Sequence, residues 1–288
     1  MISRVIFGDN QFFGVNHSSE YQAIQQARKF HSTDAIYEVL KDVNECGIDT
    51  FMFTTHTQME PILRRISNSA SFDNFNLIPC MPYAHKYANA ISENGFLGAI
   101  EKFIPGNKLI SGLKGISSVV TKNPITAMKL LIDSEMKLLE GNKIQSVFLQ
   151  NIATDLLLGL GMDDLICEFA DYLSSKYHLS SGFITMNHLK LAEVLRGNGF
   201  ERPMICSPVN PIGFRMNPCQ KNVEDELSCK YSFNIAMSIM ASGAVSPLES
   251  IKYLKDLYGI DSVLFGASSK KHILETKALV ESIWKDSS

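Results

Sequence analysis

No apolar run in this sequence approaches the ~18 residues that a membrane-crossing helix needs, so a membrane protein of the helical type is not expected. No block of like charges is present, and the net charge of −3 argues against a nucleic-acid or polyanion binder. The six cysteines form no Cys-x-x-Cys pair and stand in apolar settings, which reads as reduced thiols in a cytoplasmic chain. His-x-His and His-Glu-x-x-His are both missing, so no dense metal motif exists. No Gly-x-Gly-x-x-Gly follows the first apolar run, which lowers the case for an open dinucleotide-binding sheet. Met1-Ile2-Ser3-Arg4 leads straight into that run, and no signal peptide is expected.

What is present is an ordinary globular composition, 45% hydrophobic and 20% charged over 288 residues, enough to bury one large core. Short apolar runs recur along it, at Arg4–Phe7, Ile48–Phe53, Phe75–Met81, Ile144–Leu149, Gly182–Met186, Met204–Ser207, Ile235–Ala241 and Ile260–Phe265. Most are continuous instead of alternating, the pattern of parallel strands covered on both faces. Helical patterns separate them: Asp34–Glu45 closed by Gly47, Met59–Ile66, Asn123-Pro124 to Glu140, Asp163 to Lys176, and a segment capped by Ser246-Pro247-Leu248-Glu249 and stopped by Gly259. An extra helix is expected near Ser18, and the long interval after His85 reads as a helix to about Ile104 and then an irregular segment to Thr121. Leu113–Val120 stays open as a further strand. The recurrence predicts one domain over 1–288, a closed (β/α)8 barrel.

In such a barrel the active site lies where the strands end. Those ends carry Asp9-Asn10-Gln11, His56, Tyr83 and His85, Gln150, Asn187-His188 and the turns at Ser242-Gly243-Ala244 and Gly266-Ala267-Ser268. Of the seven histidines, His56, His85 and His188 all fall here. With Asp9 as base or orienting carboxylate they make an acid–base set, or, as an open alternative, the ligands of a divalent metal that polarises a carbonyl. Each histidine taken alone is as well explained by a loop hydrogen bond. Asn10, Gln11, Tyr83, Gln150, Asn187 and Arg215 are candidate substrate contacts, although asparagine near glycine is usually a turn residue.

The segment from Ser242-Gly243-Ala244 to Gly266-Ala267-Ser268 resembles the phosphate site shared by many (β/α)8 barrels. That resemblance implies a phosphate cup at Gly243, Ala244, Gly266, Ala267 and Ser268, holding the phosphate of a substrate or of FMN. A second set of residues resembles the aldo-keto reductases: Phe265-Gly266-Ala267-Ser268-Ser269, Cys206-Ser207-Pro208 with Gly213-Phe214, and Gly47-Ile48-Asp49-Thr50. The family's Asp and Tyr after its second strand, and its Lys on the third, have no match, since this chain reads Phe53-Thr54-Thr55-His56-Thr57. Three functions therefore stand open. One is a sugar-phosphate isomerase, epimerase or aldol-type lyase acting on a small phosphorylated metabolite; one is a reductase using NADPH or a flavin enzyme using FMN; one is a non-catalytic binding barrel.

Overall fold

The computed structural model describes residues 2–13, 29–83 and 123–287. They form eight parallel strands closed into a ring in sequence order. The strands are β1 (Val5–Phe7), β2 (Thr50–Thr54), β3 (Asn76–Met81), β4 (Ser146–Leu149), β5 (Ser180–Ile184), β6 (Met204–Pro208), β7 (Phe233–Met237) and β8 (Ser262–Phe265). Around them lie α1 (Thr33–Glu45), α2 (Met59–Ser67), α3 (Pro124–Met136), α4 (Asn151–Leu160), α5 (Asp163–Tyr172), α6 (His188–Gly197), α7 (Gln220–Ser228), α8 (Pro247–Lys255) and α9 (Lys270–Glu281). The expected helix near Ser18 and the stretch 86–121 lie outside the described residues, and the ring closes with β3 paired directly to β4. No helix among the described residues is long and apolar enough to cross a membrane.

Side-chain alternation along the strands sorts the core into two layers. Ile6, Met52, Ile78, Cys80, Phe148, Ile184, Cys206 and Ile235 fill the lumen. Their neighbours Phe7, Phe51, Phe53, Leu77, Val147, Phe183, Ile205, Ala236 and Val263 point outward and pack beneath the helices. Gly182 pairs with Phe148 on the neighbouring strand β4, whose ring lies over it, and a Cβ at 182 would stand 2.3 Å from Phe148 Cζ. The absent side chain at 182 is what lets the phenyl ring occupy the middle of the barrel.

The helices start where their caps require. Ser32, Asn123, Ser246 and Ser269 each accept backbone N–H groups of a first turn, at the heads of α1, α3, α8 and α9. Six strands differ from their expected bounds by one or two residues, and β5 and β7 are displaced as a whole. β5 begins and ends two residues earlier than Gly182–Met186. β7 stops at Met237, four residues short of Ala241, because Ser238 turns to φ 52°. Ile239 and Ala241 are still buried, so the apolar run continues through a turn that folds back on the core.

Candidate active site at the ends of β1 to β3

β1 ends at Gly8, and the chain winds into a 3-10 turn over Asn10–Phe13. Asp9 stands between the two, 7% exposed, with Oδ2 accepting the Thr54 N–H from the end of β2 at 2.7 Å. Burial raises its pKa to about 6, although the Thr54 hydrogen bond pulls the other way. Gln11 is buried, donates Nε2–H to Gly8 O at 2.7 Å, and fills the space a Cβ at Gly266 would take. Asn10 is exposed.

β2 continues past Thr54 into a tight turn that presents His56. The imidazole stacks on Phe13 (centroids 4.6 Å apart) and meets the Tyr83 ring edge-on at 4.9 Å. Gln58 N–H donates to His56 Nδ1 at 3.1 Å, so that nitrogen is an acceptor and the proton of the neutral ring sits on Nε2. Burial holds the His56 pKa below its usual value, so the ring is neutral at pH 7. Burial, and then the Asp9 charge, raise the Tyr83 pKa, which keeps the phenol protonated. The mouth of the barrel thus holds two neutral donors beside one carboxyl.

Glu135 completes this corner from behind. It is fully buried in the last turn of α3; Oε2 accepts from Thr55 Oγ1, and Oε1 accepts the Tyr83 N–H at 3.1 Å. The sequence reading overlooked it. A signal was available: Ala127, Leu131, Ile132 and Glu135 share the buried face of α3, so the acid sits where the helical period demands an apolar residue.

The other expected site residues are placed differently. His188 is 1% exposed in the first turn of α6, with Nδ1 2.9 Å from Ser207 Oγ. Ser207 follows the inward-facing Cys206 on β6, so it points outward, and the pair lies between sheet and helix instead of in the lumen. His188 Nε2 is buried with no hydrogen-bond partner among the described residues, and burial lowers the pKa to about 4. His56 and His188 therefore do not share one cluster, the first at the mouth and the second in the outer layer, and His85 lies outside the described residues. Among the described residues no group of three or more His, Cys, Asp or Glu side chains could hold a metal ion.

Gln150 and Asn187 precede the first turns of α4 and α6 without capping them through their side chains. Arg215 adopts φ 59°, lies over the Phe214 ring at 5.2 Å, and has no carboxylate partner among the described residues. In the turn after β7, Gly243 N–H and Ala244 N–H donate to Met240 O and Ala241 O, so these amides are committed within the turn. After β8, Gly266, Ala267 and Ser268 run into α9, whose first-turn amides follow the Ser269 cap, while Ser268 O accepts from Lys29 Nζ. Lys270 pairs with Glu45 on α1 and is drawn away from that turn.

No family model matches the chain, and no curated protein matches it. Solved structures do. A Pseudomonas aeruginosa protein described as an aldo-keto reductase is similar with a TM-score of 0.59 at 13% identity, over 99% of this chain and 92% of that one. A thermostable aldo-keto reductase in complex with the inhibitor epalrestat gives 0.58 at 10% identity, over 97% and 90%. An aldo-keto reductase from Klebsiella pneumoniae in complex with NADPH gives 0.54 at 9%, over 97% and 86%. The chain has the fold of the aldo-keto reductase barrels. Of the two resemblances in the sequence, this is the one the solved structures support.

Proposed function

We propose that this chain is a nicotinamide-dependent oxidoreductase that reduces a carbonyl group at the end of the barrel over β1, β2 and β3. The observation that carries the proposal is the tautomer of His56. With Nδ1 accepting from Gln58, the ring aims a neutral Nε2–H donor from the tip of β2. Whole-length likeness to aldo-keto reductases, one of them crystallised with NADPH, supplies the cofactor class and favours this reading over an isomerase or lyase of phosphorylated metabolites.

A dinucleotide phosphate fits this structure on one side only. The turn after β7 has spent its Gly243 and Ala244 amides, whereas the Lys270 and Lys271 amides at the head of α9, and Arg215, which has no carboxylate partner among the described residues, suit an anion. When bound, NADPH would supply the hydride that the carbonyl carbon needs. His56 Nε2–H and the Tyr83 hydroxyl donate hydrogen bonds to the carbonyl oxygen as negative charge gathers there. His56 stays neutral and cannot readily surrender its only N–H, so the proton passes from Tyr83, which recovers it from water. Asp9 orients the β2 end through Thr54.

The proposal is tested by following NADPH fluorescence on titration with the protein, and NADPH consumption with a panel of aldehydes and ketones. Binding and turnover are expected, and His56→Phe should reduce kcat/KM by roughly 10²-fold or more, the usual loss when an oxyanion donor is removed. Absence of both NADPH binding and turnover would overturn the reading. Binding of phosphate esters in their place would favour the metabolite reading, and binding of neither would favour a non-catalytic barrel.

A further inference from the structure

We propose that Glu135 is a positioning residue that holds His56 and Tyr83 in contact; this rests on the reading of that ring pair as the substrate-facing donors. The corner is gripped by two buried carboxylates. Asp9 takes the backbone of Thr54 on one side, and Glu135 takes the hydroxyl of Thr55, the very next residue, on the other. His56 follows immediately, and its own N–H donates to Thr54 O at 2.6 Å, so the ring is carried by a turn pinned at consecutive positions.

The second Glu135 oxygen reaches a different strand. Oε1 accepts the Tyr83 N–H beyond the end of β3. One carboxylate therefore bridges the two loops that carry the two rings, and the spacing between them is set by its two oxygens. Thr55 Oγ1 also lies 3.3 Å from Cys80 O on β3, which reinforces the same bridge. A fully buried acid in the outer layer of a barrel has no reason to be there for packing alone, because an apolar side chain of similar volume would be cheaper to desolvate. Its placement is explained by the two donors it must satisfy.

Glu135→Gln keeps the size and removes one acceptor, turning an NH2 group toward one of the two donors. Thr55→Val removes only the hydroxyl arm, and Thr55→Ser restores it. The readouts are the nuclear Overhauser contact between the His56 and Tyr83 rings, the 15N shifts that report the His56 tautomer, and kcat against KM for NADPH-dependent carbonyl reduction.

In Glu135→Gln the ring contact should weaken, the His56 15N shifts should move toward a mixture of tautomers, and kcat should fall by roughly tenfold with the KM for NADPH within about twofold. Thr55→Val should move the same signals less, and Thr55→Ser should recover the ring contact. If Glu135→Gln does not fold, the Thr55 pair decides alone. Wild-type ring contact and tautomer in both Glu135→Gln and Thr55→Val would overturn the proposal, whatever their stability. A wild-type protein that reduces no carbonyl would sink the oxidoreductase reading alone, since the two spectroscopic readouts need no substrate.

Discussion

At the scale of single residues, two buried titrating groups pull stability in opposite directions as pH changes. Asp9 carries a folded-state pKa of about 6 against an ordinary 3.8. As pH rises from 3.8 to 6 the unfolded chain ionises first, so folding loses stability, about 3 kcal/mol by pH 7 at roughly 1.4 kcal/mol per unit. His188 shows the reverse: with a folded pKa of about 4 against 6.5, its contribution is intact above pH 6.5 and is lost as pH falls toward 4. Asp9→Asn should therefore gain on the wild type as pH climbs from 4 to 7, and His188→Gln should flatten the acid side of the profile. Urea unfolding at several pH values checks both, and parallel curves for wild type and either variant would contradict the assignment. Sequence position named Asp9, His56 and His188 on the same ground; the first two stand together at the ends of β1 and β2, and His188 lies in the outer layer. A strand end fixes the height of a side chain in the barrel and not which side of the wall it takes. Only the partner, Ser207 next to the inward Cys206, reveals the side.

Among the elements, the eight strands were legible because both their faces are covered, which makes them continuous apolar runs. The end of β7 was not legible, because Ile239 and Ala241 are apolar for burial in a turn and not for extension. Glu135 went unread for a related reason: it is a charged residue on the apolar face of α3, and composition alone assigns charges to the surface. The caps were plain in the sequence and carry measurable weight. Ser246→Ala should cost about 1 kcal/mol by removing the acceptor for Glu249 N–H at the head of α8, seen as a lower thermal midpoint. Gly182→Ala should cost about 1–3 kcal/mol through overpacking, since Phe148 is fully buried with no room to yield.

For the molecule as a whole, the barrel gathers its donors over β1 to β3; the α9 amides after β8 lie beside that corner because β8 pairs with β1, and Arg215, after β6, stands across the ring from β2. A ligand that reaches both the donors over β2 and Arg215 must span the mouth, which an extended dinucleotide is long enough to do and a small phosphate ester is not. Thermal unfolding with added NADPH should show a rising midpoint, about 2.7 kcal/mol of stabilisation at a hundredfold excess over the dissociation constant. Inorganic phosphate at equal concentration should produce a smaller rise. The ring at position 148 carries one more implication. Since it sits in the space that residue 182 forgoes, the two sites hold a single shared volume, and neither is free to vary alone. A methyl group at 182 becomes tolerable once 148 is trimmed to leucine, so the paired exchange should be milder than the sum of its halves, and kindred chains that drift at one position should drift at the other.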